Sequence, residues 1–177
     1  EGLGNKFLAN IRNTNAIIHV LRCFENDNIT HVDGSIDPVR DKGIIDTELQ
    51  LKDLETIENR LAKTQKQAVV GGDKQAKRAV EILLQYKAVL EQGLSARTVE
   101  LEKEDRKLVA DLNLLTDKPV LYVCNVDEKS AVTGNEHTRA VEAAIADERA
   151  EMLIVAAATE ADIAELDEYE ERQMFLE

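Results

Sequence analysis

An amide and a carboxylate follow an apolar run in the last third of the sequence. Residues 119–128 read Pro-Val-Leu-Tyr-Val-Cys-Asn-Val-Asp-Glu, so Asn125 ends the run and Glu128 comes three residues later. An amide both donates and accepts hydrogen bonds, whereas a carboxylate only accepts them. Ligands of open α/β sheets bind outside the carboxyl ends of strands. The pattern therefore predicts a polar ligand site here, although an Asn after a strand is by itself more often a turn former.

Three apolar segments are candidates for the strands that would position this site. They are residues 16–24, 119–124 and 152–157, and each is apolar at most positions of both alternating faces. Such strands are typical of parallel sheets covered on both sides. A helical pattern over Thr138–Ala150 separates the last two, which predicts a strand–helix–strand unit and an α/β fold with a mainly parallel sheet.

The middle of the chain has helical rather than strand periodicity. From Pro38, a favourable first helical residue, to Leu112 there is no strand candidate. Apolar residues recur at helical spacing in two stretches, Leu54, Ile57 and Leu61, then Ala76, Val80, Leu83, Leu84 and Leu90. Gly71-Gly72 separates the stretches, Asp73 is a candidate N-cap and Gly93 a stop signal. The pattern predicts a helical hairpin, followed by a short third helix over Val99–Leu112.

Composition narrows the class of protein. The 177 residues carry a net charge of −13 and no apolar run that approaches a membrane span. Direct nucleic-acid binding through the overall field and a membrane partner are therefore not expected. The two cysteines, Cys23 and Cys124, lack metal-site spacing. Buried, reduced thiols in a cytoplasmic protein are the better interpretation.

Several segments, in order along the chain, together resemble the YchF/Obg-like ATPase family. They are residues 1–8 (EGLGNKFL), 15–24 (NAIIHVLRCF), 29–34 (ITHVDG), 37–41 (DPVRD), 112–119 (LNLLTDKP) and 125–128 (NVDE). The resemblance implies part of a P-loop NTPase G domain interrupted by an α-helical coiled-coil hairpin. It divides the chain into G-domain residues 1–36, a helical insertion over 37–112 and further G-domain residues 113–177.

The same resemblance implies a purine-binding role for the segment after the second strand. Asn125-Val-Asp-Glu128 resembles the Asn-Lys-x-Asp base-reading motif of P-loop GTPases, with Val126 in place of Lys and Glu128 in place of Asp. The implied base contacts are Asn125 at the N7/N6 side, Val126 against the base plane, and Glu128 as a shifted acceptor that admits ATP. Ala156, Ala157 and Ala158 stand where many GTPases have a second base-contacting loop, Ser-Ala-Lys. A tight junction between a strand and a helix explains the alanines equally well.

Other family features are absent from the sequence. It contains no GxxxxGK[ST] phosphate loop and no Asp-x-x-Gly metal motif, so no catalytic or metal-binding residue is predicted. We expect a fragment that is inactive alone, from a longer protein that hydrolyses ATP, with GTP as a second substrate. Its Mg²⁺ would be bound by residues outside this chain. The ribosome is the partner that the resemblance implies.

A different class of function fits the residues without the resemblance. An α/β scaffold could present the helical hairpin to a partner protein and catalyse nothing. A phosphate loop encoded upstream of Glu1 would favour the ATPase, and its absence would favour the scaffold.

Overall fold

The computed structural model describes residues 4–26, 35–70 and 73–166. The helices are α1 (Asn5–Arg12), α2 (Pro38–Val70), α3 (Lys74–Glu91), α4 (Lys103–Val109), α5 (Glu136–Ile145) and α6 (Ala157–Ala164). The strands are β1 (Ile17–Arg22), β2 (Val120–Asn125) and β3 (Glu151–Val155). The predicted α/β class is confirmed. Among the described residues, no helix is both long and apolar enough to cross a membrane.

The three predicted strands form one sheet in the order β1-β2-β3. Asn125 lies opposite Val155 in the parallel pairing of β2 with β3. The Ile17 N–H donates to Pro119 O and the Cys23 N–H donates to Asn125 O. Because both bonds span the same offset along the two chains, β1 also runs parallel to β2. All three strands therefore end at the same edge of the sheet.

The strand sequences predict a sheet that is covered on both faces, but one face is largely exposed. The side chains of Ile18, Val20 and Leu153 are 67%, 62% and 50% exposed. The opposite face carries buried residues such as Leu21, Tyr122 and Cys124. The described residues therefore cover the sheet on one side only, although the strand sequences are apolar on both.

The chain divides into two compact units. The first consists of residues 1–17, 43–119 and 147–149, and the second of residues 18–42, 120–146 and 150–177. The sheet, α5 and α6 belong to the second unit. The first unit contains α1, most of α2, and α3 and α4.

The first unit contains the predicted hairpin. Asp73 is confirmed as the N-cap of α3, since its side chain accepts hydrogen bonds from the N–H groups of Gln75 and Ala76. Gly93 follows the helix with a φ of 76°, a conformation that favours glycine. The Gly71-Gly72 turn lies outside the described residues.

The seam of the hairpin is close to the predicted one. Ile57 and Leu61 of α2 are buried with Leu83 and Leu90 of α3, but Leu84 is exposed. The remaining buried members of this core are Ile82, Tyr86, Ala96, Val99, Val109, Leu112 and Leu114. Residues after the hairpin thus complete its core. The predicted third helix is shorter than 99–112, because α4 occupies only Lys103–Val109 between two 3-10 turns.

A buried carboxylate joins α2 to the segment that leads into β2. Asp53 is fully buried and accepts hydrogen bonds from Leu115 N (2.8 Å), Thr116 N (2.8 Å) and Thr116 Oγ1 (2.7 Å). Burial raises the pKa of Asp53, and the three donated bonds oppose that shift. Thr116 in turn accepts hydrogen bonds from Ala96 N and from Arg97. Three separate segments of the unit, Asp53 of α2, residues 96–97 and residues 115–116, meet at this buried network.

We expect Asp53→Asn to destabilise the chain by about 2–3 kcal/mol, because an amide N–H₂ would then face a buried N–H donor. Denaturant unfolding measures the loss. Glu55→Gln on the same helix is the matched control. Glu55 is exposed and pairs only with Lys52, so its change should stay within about 0.5 kcal/mol. Equal losses in the two variants would contradict a structural role for the buried bonds.

Candidate functional site

The side chain of Asn125 bridges the ends of two neighbouring strands. Its Oδ1 accepts a hydrogen bond of 3.0 Å from the backbone N–H of Ala157, the first residue of α6. The N-cap position of this helix is Ala156, which has no side-chain acceptor. The first N–H groups of a helix lack partners within the helix. Asn125, at the end of the neighbouring strand β2, therefore acts as the side-chain cap of α6.

This bond fixes the orientation of the amide. A backbone N–H can donate only to the amide oxygen, so the Nδ2 group of Asn125 is left with its two N–H donors. Nδ2 has no hydrogen-bond partner among the described residues. Asn125 is therefore a hydrogen-bond donor toward any ligand that reaches this edge of the sheet.

The two acidic residues that follow differ in their hydrogen bonds within the described residues. The Asp127 side chain caps a 3-10 turn over Glu128–Ser130 by accepting from Ser130 N at 3.0 Å. Glu128 is exposed, and its carboxylate has no ion-pair partner within the described part of the chain. The structure thus places a free acceptor three residues after the free donor of Asn125.

The other sequence-predicted site residues lie at the same edge of the sheet. Ala157 and Ala158 are exposed at the start of α6, whereas Ala156 is buried. Val126 is only 3% exposed, and its N–H donates to Val155 O at 2.9 Å. Val126 therefore extends the strand pairing and has little side-chain surface to offer a base. The backbone around Ala157 and Ala158 remains open to a ligand.

A second set of residues, Gly134, Asn135 and Thr138, positions the loop between β2 and α5. The sequence pattern did not lead us to predict these residues. Asn135 Nδ2 donates to Cys23 O at 2.7 Å, which ties the segment before α5 to the end of β1. Asn135 also forms a reciprocal capping box with Thr138 at the start of α5. Gly134 has a φ of 66°, and a Cβ at this position would lie 2.4 Å from Thr138 Oγ1. The Asn-x-x-Thr spacing is the one signal in the sequence that could have identified the cap.

The two cysteines are structural. Cys23 and Cys124 are both free and fully buried. A hydrogen bond between the two thiols, together with burial, keeps the pKa of Cys23 above its ordinary value. A protonated, buried thiol is a poor nucleophile. Within the described residues, no group of three or more His, Cys, Asp or Glu side chains could hold a metal ion.

The chain is similar in sequence to known proteins that are named as ATPases. No protein-family model matches it. It is 49% identical over 179 residues to the ribosome-binding ATPase YchF of Bacillus subtilis, and the match covers 100% of this chain and 48% of that protein. It is 43% identical over 129 residues to Obg-like ATPase 1 of Oryza sativa subsp. indica, a match that covers 73% of this chain and 33% of the relative.

A solved structure supports the same placement. The Schizosaccharomyces pombe YchF GTPase superposes with a TM-score of 0.84 at 29% sequence identity, covering 98% of this chain and 48% of that one. The expected G-domain fold with its helical insertion is thereby confirmed, as is the resemblance to the YchF/Obg-like ATPases. The chain spans about half the length of the curated YchF relatives it matches.

The capping role of Asn125 can be measured directly. In Asn125→Ala the Ala157 N–H loses its acceptor, and we expect its hydrogen exchange to accelerate about five- to tenfold, as for loss of one ordinary hydrogen bond. Asn125→Asp keeps an acceptor and should exchange no faster than the wild type. The Val126 N–H, bonded to Val155 O, is the internal control in an NMR exchange experiment. Unchanged exchange at Ala157 in Asn125→Ala would contradict the assignment.

Proposed function

We propose that this chain, a homologue of YchF along its whole length and of Obg-like ATPase 1 over 129 residues, supplies the purine-binding corner of an NTP hydrolase. This purine corner consists of Asn125, Glu128 and the start of α6 at Ala157 and Ala158. The substrate is ATP, with GTP as a second substrate. The observation that carries the proposal is the hydrogen bond from Ala157 N to Asn125 Oδ1. It leaves a fixed donor at the ligand-binding edge of a parallel sheet, beside the unpaired carboxylate of Glu128.

The orientation of Asn125 defines which base atom it can contact. Its free Nδ2 group needs an acceptor. N7 is an acceptor in both adenine and guanine, whereas position 6 carries a donor in adenine and an acceptor, O6, in guanine. In this proposal the Nδ2 group of Asn125 donates to N7, the acceptor that the two bases share, so this contact recognises a purine without distinguishing the two bases.

The choice between the two purines then falls to Glu128. Guanine presents N–H donors at N1 and N2, and a correctly placed carboxylate accepts from both. Adenine presents an acceptor at N1 and a donor at N6, so a carboxylate in that position would face N1 unfavourably, at a cost of about 1–3 kcal/mol. The extra methylene of Glu128, relative to Asp, displaces the carboxylate and relaxes this discrimination.

The remaining chemistry of hydrolysis is not assigned to this chain. The sequence has no GxxxxGK[ST] phosphate loop, and such a loop and Mg²⁺ position the phosphates in P-loop hydrolases. We propose hydrolysis for the longer protein and none for the 177 residues alone.

The helical hairpin is proposed as the arm that contacts the ribosome in the cytoplasm. Ribosome binding is part of the name of several relatives. Among the described residues, five large apolar side chains are exposed on or beside the hairpin helices, namely Val39, Ile44, Leu51, Leu84 and Leu94. A partner surface could cover them. The alternative hypothesis, a non-catalytic scaffold, includes the same arm but no nucleotide site. A measurement of nucleotide binding therefore discriminates between the NTP hydrolase and the scaffold.

Base selection can be tested with Glu128→Asp in the full-length protein. Restoring the shorter acid should shift the ratio of ATP to GTP affinity toward GTP by about tenfold, the scale of one mismatched polar contact. Competitive titration of both nucleotides measures the ratio. Glu142→Asp, an exposed position on α5, is the matched control. An unchanged ratio in Glu128→Asp would remove Glu128 from base reading.

The arm can be tested by shortening the hairpin beyond its core. Replacing residues 63–79 with a four-residue Gly/Ser linker leaves Asp53, Ile57 and Leu61 in place, with the buried network and core they form. We expect nucleotide affinity to be retained, because the strand ends are not altered. The exposed apolar residues Leu51, Leu84 and Leu94 stay in place, and co-sedimentation with ribosomes should weaken because the arm loses residues 63–79.

Two outcomes would contradict the proposal that the strand ends bind the nucleotide and the hairpin contacts the ribosome. Loss of nucleotide binding in a variant that still unfolds cooperatively would show that the hairpin shapes the nucleotide site. Unaltered ribosome association would assign the contact to another part of the protein.

A further inference from the structure

A cleft of about 430 Å³ lies wholly within the first unit. Its walls are Arg12 at the end of α1 with residues 13–15, five residues of α4 and the following turn, and residues 117–119. The five are Arg106, Val109, Ala110, Asn113 and Leu114. The buried ring of Tyr86 also lines it. None of these residues belongs to the purine corner, and no function discussed above uses the cleft.

Three cationic side chains line this cleft, and two of them bond only to neutral partners. Lys118 Nζ donates to the carbonyl oxygens of Arg12 (3.1 Å) and Thr14 (2.5 Å). The Arg12 guanidinium donates to Leu112 O at 2.9 Å and to Thr56 Oγ1 at 3.3 Å. Within the part of the chain that the structure describes, neither cation forms an ion pair. Carbonyl oxygens orient these groups without cancelling their charge.

The third cation is paired with the one acidic residue of the lining. Arg106 Nη1 lies 3.4 Å from both carboxylate oxygens of Asp117. Burial raises the pKa of Asp117, although Arg106 and Arg97 oppose the shift. Asp53 acts on Arg12 from outside the cleft, but its own oxygens already accept three hydrogen bonds. The lining therefore has three positive charges and one negative charge, on a chain with a net charge of −13.

We propose that this cleft binds a phosphate group. Arg and Lys together are the usual recognition groups for phosphate oxygens, and Asn13, Asn15 and Asn113 add amide donors around the lining. A singly charged carboxylate would neutralise only half of the net positive charge of the lining, whereas a phosphate-bearing ligand supplies two or more negative charges in one place. The phosphate can come from a free polyphosphate-containing molecule or from a single-stranded RNA backbone. The RNA source would be a local exception to the expectation set by the overall charge.

The test is a calorimetric titration of the 177-residue chain at low ionic strength with two probes, inorganic tripolyphosphate and a mixed-sequence RNA decamer. At least one probe should bind. Arg106→Gln and Lys118→Gln should each weaken that binding about tenfold, as expected for loss of one charge-assisted hydrogen bond. Lys107→Gln is the matched control. Lys107 is the next residue of α4, is absent from the lining and pairs with Glu104.

Two further measurements keep the result unambiguous. Lys118→Gln also removes two structural hydrogen bonds, so its melting temperature is compared with that of Arg106→Gln, whose side chain is half exposed. Asn125→Ala should leave probe binding unchanged, which separates this cleft from the purine corner.

The two probes identify the source of the phosphate. Binding of RNA alone, with affinity that falls as salt rises, identifies a polynucleotide. Binding of tripolyphosphate alone identifies a small ligand. The proposal is overturned if neither probe binds, or if Lys107→Gln weakens binding as much as the two cleft variants.

Discussion

The proposed purine corner depends on one hydrogen bond, which the backbone N–H of Ala157 donates to the side chain of Asn125. It compensates for a helix that begins after an alanine and therefore has no side-chain cap of its own. It also uses the amide oxygen, which converts an ambiguous side chain into a donor of fixed orientation. The parallel pairing of Asn125 with Val155 brings the two partners to the same edge of the sheet.

Among the described residues around Asn125, several polar groups form hydrogen bonds within the chain, whereas the Asn125 donor and the Glu128 carboxylate do not. The backbone of Val126 continues the pairing with β3, and the Asp127 carboxylate is used in a cap. Asn135 ties the far end of the loop to the backbone of Cys23. Glu128 is left as the carboxylate without a structural task. In the proposed function, recognition is thus divided into a contact common to both purines and a contact that distinguishes them.

The sequence predicts what depends on local pattern and misses what depends on distant partners. Apolar runs locate all three strands, and helical spacing locates the hairpin and the cap at Asp73. The helix predicted over 138–150 is α5 (Glu136–Ile145) in the structure. It begins earlier because Asn135 caps it, and residues 147–149, which were predicted to be helical, belong to the first unit. Asp53 and Thr116 are 63 residues apart, so nothing local identifies Asp53 as buried. The site residues themselves were recognised by family resemblance, whereas the orientation of Asn125 required the structure.

The most direct test of the purine corner is the affinity of the full-length protein for ATP compared with 7-deaza-ATP, which carries a C–H group in place of N7. If the Nδ2 group of Asn125 donates to N7, the wild-type protein should bind the deaza analogue about tenfold more weakly, the scale of one lost hydrogen bond in a buried site. Asn125→Ala should bind both nucleotides equally. Equal affinities in the wild-type protein would contradict the account.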